Sequence, residues 1–168
     1  MEGISKNIMK KIDFEKILSL ISSDLYSFGY ALIPDDLQAG QLSVDAITAY
    51  LVSKKIVLEQ LLNTNTDTLK NEIPKIKMDL LKVIYDLAKK RFYQVRVSIE
   101  SEHLNDGFYH LEFDEKAALY LKDKMKLSND EISVVTMRSR AEVLASLFSG
   151  RLKMVKALPF EVLEESLA

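Results

Sequence analysis

Between Ile73 and Ser101 the chain is apolar around more than half of a helical circumference, and this stretch constrains the fold most. Ile76, Leu80, Val83 and Leu87 form one stripe, and Leu81, Tyr85, Ala88, Phe92, Val95 and Ile99 form a second at offsets 0, 4, 7, 11, 14 and 18. Such a helix cannot lie on a surface with one face wet, so it is predicted to be central, to meet another subunit, or both. It is expected to start at about Asp67 or Ile73, with Pro74 in its first turn or at a kink, and to end near Ser101. Its excess apolar area asks for a neighbouring subunit, which makes Leu81, Tyr85, Ala88, Phe92, Val95 and Ile99 the predicted subunit interface.

Upstream, Phe14, Ile17, Leu18, Ile21, Leu25 and Phe28 share one helical face, with Asp13 placed as its N-cap. Gly29 and Pro34 break that period, and Pro34 to Gln41, which contains Asp35, Asp36 and Gly40, reads as a connection. A second helix is expected after Ser43, with Val44, Ile47, Leu51, Leu58 and Leu62 facing inward, and it ends in the polar segment Asn63 to Asp67. Downstream of the long helix, Asn105-Asp106-Gly107 marks a loop over Leu104 to His110, and a short helix follows from about Asp114 to Met125.

Leu127 to Glu131 is polar enough for a linker, and beyond it the period changes. Ile132 to Met137 and Val143 to Phe148 are rich in strand formers, Ser149-Gly150 supplies a turn, and Leu152 and Met154 alternate with Arg151, Lys153 and Val155. Pro159 stops that last strand, and Phe160 to Leu167 reads as a closing helical turn. The predicted architecture is mainly α: a helical domain over 1–126 with a long central helix, a linker at 127–131, and a small β-rich domain over 132–168.

Composition excludes several function classes. With 23 basic and 25 acidic side chains, a protein whose affinity comes mainly from neutralising phosphates is disfavoured. The absence of cysteine removes disulfides, thiolate nucleophiles and thiolate metal centres. No run of about 18 apolar residues exists and Met1 to Lys11 lacks the apolar core of a signal peptide, so a soluble, membrane-free protein is expected. The two histidines, His103 and His110, flank a loop with Asp106 but lack zinc-type spacing, and the five glycines form no phosphate loop. The pairs Asp35-Asp36 and Glu164-Glu165 lie in polar segments that would leave them solvated. No catalytic, cofactor or metal site is therefore expected.

The densest basic and aromatic run is Lys89, Lys90, Arg91, Phe92, Tyr93 and Arg96, and cations beside aromatic faces are a means of holding single strands. Lys89, Lys90, Arg91 and Arg96, with Arg151 and Lys153 near the chain's end, are the candidate nucleic-acid or partner contacts. A structural role outweighs this for Arg91, whose stem can pack beside Leu87 and Ala88 while its guanidinium pairs with a carboxylate.

The order of these parts resembles an archaeal GINS subunit of the kind with its helical domain first and its β domain last. Leu32-Ile33-Pro34-Asp35-Asp36-Leu37 looks like the family's Leu-Pro turn between the first two helices. Ile84 to Val95 is similar to the long-helix signature, with Gln94-Val95 where the family has a Lys-Ile-like pair. Leu111 to Tyr120, with Glu115 and Leu119-Tyr120, resembles the following helix, and Leu158-Pro159, Val162 and Leu167-Ala168 resemble the close of the β domain. A Gly-Asp usual before the last strand has only Gly150-Arg151 as its counterpart. The resemblance implies a non-catalytic, cytoplasmic and nucleoid-associated assembly factor. It would work in a tetramer with itself or a second GINS-type subunit, bind the MCM helicase and a RecJ-like partner, and touch DNA weakly or indirectly. The other architecture weighed is a winged-helix-like transcription regulator with Val143 to Phe148 and Arg151 to Val155 as its wing; its reading helix, Asp114 to Met125, lacks an Arg or Asn cluster for base edges.

Overall fold

Asp35 draws the first boundary in the chain. The computed structural model describes residues 2–54 and 66–157, with side chains described over 15–54 and 71–157. Helix α1 runs over Glu2–Leu32 and α2 over Asp36–Ser53, so that only three residues connect them. The Asp35 carboxylate accepts the Gln38 amide at 2.7 Å and starts α2 eight residues before the start expected after Ser43. Asp13 lies inside α1, and Gly29 and Gly40 are both helical. The inward face of α2 is Ala39, Leu42, Ala46 and Tyr50, whereas Val44 and Leu51, predicted inside, are exposed. Leu58 and Leu62 lie outside the described residues.

Helix α3, Thr66–Glu102, is the central element predicted, with Pro74 inside it. Both its stripes are covered by the chain itself: Ile76, Leu80, Leu81, Ile84, Tyr85, Ala88, Phe92 and Ile99 are buried. Helices α1 and α2 pack on it, as do helical elements that follow it in the chain. A loop leads to α4, Phe113–Leu119, which passes without a break into a π-helical turn at Tyr120–Lys124. There the Met125 amide donates to the Tyr120 carbonyl at 3.2 Å, an i to i+5 bond.

The C-terminal part departs from the prediction. Residues expected to form a small β domain are helices, α5 over Asn129–Thr136 and α6 over Arg140–Ala157, and no strand occurs among the described residues. Two reciprocal capping boxes decide this. Ser128 Oγ accepts the Glu131 amide while Glu131 returns a carboxylate to the Ser128 amide at 2.7 Å, and Ser139 and Glu142 repeat the exchange. The β-branched run of α5 is accommodated by burial of Ile132, Val135 and Thr136, with the Thr136 hydroxyl donating to the Ile132 carbonyl at 2.7 Å. Met137, with φ of 54°, closes α5 in the left-handed region and turns the chain into α6.

Gly150, expected in a turn, lies inside α6 where that helix crosses α4. A Cβ there would come within 2.8 Å of Leu119 Cδ1 and 3.3 Å of Glu115 Cβ, so the glycine permits helix-on-helix approach. Ile132, Val135, Val143 and Leu147 join the same buried cluster as Leu25, Phe28 and Leu80. The wing of the transcription-regulator reading is likewise absent, because Val143 to Phe148 and Arg151 to Val155 are one continuous helix. Pro159 and the expected closing turn Phe160 to Leu167 lie outside the described residues.

Candidate partner-binding surface

The six residues predicted as a subunit interface are placed in the chain's own core. Leu81, Tyr85, Ala88, Phe92 and Ile99 are buried, and Val95 is half-buried against the same cluster. Phe113 of α4 lies between Tyr85 and Phe92, with ring centroids 5.3 and 5.2 Å away. The six residues expected to be shared with a second subunit are thus covered by the chain itself, whereas Tyr93 and Val97 of α3 stay exposed.

The six basic candidates form a set of clasps. Lys89 pairs with Asp114 at 3.0 Å, Lys90 with Asp86 at 2.7 Å, and Arg91 with Asp45 at 2.5 Å. Arg96 reaches both Glu100 and Glu112, Arg151 pairs with Asp123 and Lys153 with Glu115. Arg91 therefore does what its helix position suggests, tying α3 to α2 across 46 residues of sequence. Every one of these cations is matched by a carboxylate, which leaves little uncompensated positive charge for phosphates.

Two of these clasps lie deep enough to matter electrostatically. Asp114 accepts the Tyr85 hydroxyl at 2.5 Å as well as Lys89, and Arg138 lies 3.4 Å away. Burial alone would push its carboxyl up, but the Tyr85 and Lys89 hydrogen bonds and the two cations outweigh it and hold it below the usual range. Glu115 behaves in the same way: burial raises it, while Lys153, Ser149 and the Glu112 amide bring it down. Together they bind α3, α4 and α6 into one unit.

The histidine loop is closed by its own contacts. His110 Nε2 donates to the His103 carbonyl at 3.0 Å, and the His103 ring lies 4.5 Å from that of Tyr109. Among the described residues no three His, Cys, Asp or Glu side chains converge to hold a metal ion, and no helix is long and apolar enough to cross a membrane. Asp35 is the α2 cap and Asp36 accepts the Tyr26 hydroxyl; Glu164 and Glu165 lie outside the described residues.

What the sequence reading missed is the outer face of α6. Leu144, Phe148, Leu152 and Val155 recur at offsets 0, 4, 8 and 11 and are all exposed, Phe148 to 73%. They bound a cavity of about 420 Å³ that Leu147, Lys122 and Arg151 also line. Asn129, in its wall, has a buried Oδ1 with no hydrogen-bond partner. The spacing was present in the sequence, but reading Val143 to Phe148 as a strand put Leu144 and Phe148 on one face of a sheet and hid the helical stripe. An apolar stripe of this length beside an unfilled hollow can seat a helix or an extended segment of another protein. No protein-family model matches the chain, and no curated protein matches it.

Proposed function

We propose that the chain is a non-catalytic scaffold subunit that carries a partner protein on the outer face of α6, and that its assembly is the GINS-type complex that stimulates the MCM replicative helicase. The observation that carries the scaffold reading is the exposed stripe Leu144, Phe148, Leu152 and Val155 beside the Asn129 hollow. A face of four large apolar residues in water is costly unless something covers it. The internal pairing of all six basic candidates supports contact with protein over contact with DNA.

The choice of assembly is supported by the helical stretches of the resemblance: Leu32 to Leu37 at the junction of α1 and α2, Ile84 to Val95 in α3, and Leu111 to Tyr120 through α4. In this reading the α6 face takes a second GINS-type subunit or a second copy of the chain. The helicase and a RecJ-like partner join the assembled complex, in the cytoplasm beside the nucleoid.

The test is a nuclease-treated pull-down of the tagged full chain from its source cells, read by mass spectrometry beside Phe148→Asp/Leu152→Asp. The expected result is recovery of a small helical subunit together with an MCM helicase, and loss of both from the variant with its circular dichroism unchanged. Recovery of this chain alone, or duplex DNA affinity that falls steeply with salt, overturns the proposal.

A further inference from the structure

Helix α2 has an outer face without charge. Leu37, Gln41, Val44, Thr48 and Leu51 recur at offsets 0, 4, 7, 11 and 14, and all five are exposed, Leu37 to 78% and Val44 to 58%. The wet side of a surface helix is ordinarily its charged side, and 29% of this chain is charged. Helix α2 nevertheless contains no Lys or Arg, and its two acids are engaged within the chain: Asp36 accepts the Tyr26 hydroxyl and Asp45 pairs with Arg91. The polar members of the face are partly satisfied on their own helix. Gln41 Nε2 donates to Asp45 at 2.7 Å and the Thr48 hydroxyl to the Val44 carbonyl at 2.8 Å, so covering them strands few donors.

The register of this face selects what covers it. Alternating steps of four and three residues make the seam of paired helices. About Val44 the seam reads nearly the same in both directions, with Leu37 and Leu51 seven residues to either side, Gln41 three before and Thr48 four after. A second α2 laid antiparallel across it, with the two-fold axis at Val44, therefore sets Leu37 against Leu51 of the second copy, Gln41 against its Thr48 and Val44 against its Val44. Such self-complementarity is what an isologous contact requires.

Backbone room and charge agree with that occupant. Gly40 lies on the same face, four residues before Val44, and a Cβ there would meet nothing within 4 Å among the described residues. Thr48 of the second copy falls opposite it, so the missing side chain lets the two helices approach. A seam without ionisable groups brings no like charges together when it meets itself. Duplex DNA or an anionic membrane would find none of the cations it needs there.

We propose that the outer face of α2 is a homodimer interface, in which two copies of the chain pair antiparallel through Leu37, Val44 and Leu51 about a two-fold axis at Val44. The seam is about 21 Å long, less than the standard interface of about 800 Å² per partner demands, so the dimer is a weak one that exchanges with monomer. This face is on a different helix from the α6 stripe, and the pairing stands independently of the partner held by α6.

The absence of cysteine makes a geometric test available. Val44→Cys, Leu37→Cys and Leu51→Cys are each made in the full chain, and disulfide-linked dimer is timed under mild oxidation. The expected result is that Val44→Cys crosslinks roughly tenfold faster than either other single variant, because its thiols meet on the axis while those of two Leu37→Cys chains lie about 21 Å apart. An equimolar mixture of Leu37→Cys and Leu51→Cys should crosslink as fast as Val44→Cys. Equal rates for the three single variants, or rapid crosslinking of Leu37→Cys alone, overturn the proposal. Sedimentation of the native chain and of Phe148→Asp/Leu152→Asp supplies the second readout. A concentration-dependent dimer that persists in the α6 variant, is insensitive to salt and is lost in Val44→Asp is expected. A native chain that stays monomeric across the micromolar range overturns the α2 pairing, and so does a dimer abolished by the α6 variant, which would place self-association on α6 instead.

Discussion

Lys116 is fully buried, yet among the described residues no carboxylate lies in ion-pair range of its ammonium. Its Nζ donates to the Leu32 carbonyl at 3.2 Å and lies 4.2 Å from the Phe92 ring centroid. Leu32 ends α1, so the cation meets the negative end of a 31-residue helix on one side and an aromatic face on the other. Burial nonetheless brings its pKa down to about 8, with Arg96 adding to the effect. The folded value lies below the unfolded one. As pH falls from about 10.5 to 8, the unfolded chain therefore takes up a proton that the fold refuses, and stability drops through that window and levels off below it. The buried charge costs on the order of 3 kcal/mol at neutral pH, at 1.36 kcal/mol per pKa unit. Lys116→Met removes this dependence. Denaturant titrations of both proteins should show the variant's stability relative to wild type falling by that amount between pH 8 and 10.5, and a constant difference would refute the assignment. Little in the sequence announced Lys116, because only the tertiary fold brings α4 against the end of α1.

At the scale of elements, two glycines with the same local conformation have opposite meanings. Gly40 is helical, and a Cβ on it would meet nothing within 4 Å, so Gly40→Ala should stabilise the protein by about 1 kcal/mol through helix propensity. Gly150 is also helical but touches Leu119 and Glu115, so Gly150→Val should lower stability by about 2 kcal/mol or more through overpacking. Thermal unfolding of the two variants separates these cases, and a stabilised Gly150→Val would show that α4 and α6 are not in close contact. The same comparison explains why the C-terminal elements were misread. Ser149-Gly150 has the composition of a turn, and Ile132, Val134, Val135 and Thr136 have that of a strand. The capping boxes Ser128 to Glu131 and Ser139 to Glu142 were equally present in the sequence, and they are the local signals that agree with the helices formed.

For the whole molecule, the central question is which apolar surface is spent inside the chain. Because Tyr85 and Phe92 are core residues, Tyr85→Asp/Phe92→Asp should abolish both the helical far-ultraviolet signal and cooperative unfolding, instead of releasing a folded monomer. A folded variant of unchanged helicity and halved molar mass would return these residues to an interface. Phe148→Asp/Leu152→Asp, on the exposed stripe, is the contrasting change that leaves the fold intact. By itself, the sequence determined a long central helix with two buried stripes, the short helix after the histidine loop and the structural use of Arg91, because helical period and charge placement are local properties of the chain. Only the tertiary structure decided which helices cover those stripes, that the C-terminal helices share the same core, and that the outer face of α6 is left bare. Coverage depends on contacts between residues far apart in sequence, and no local pattern reports whether an apolar face will find its neighbour within the chain or outside it.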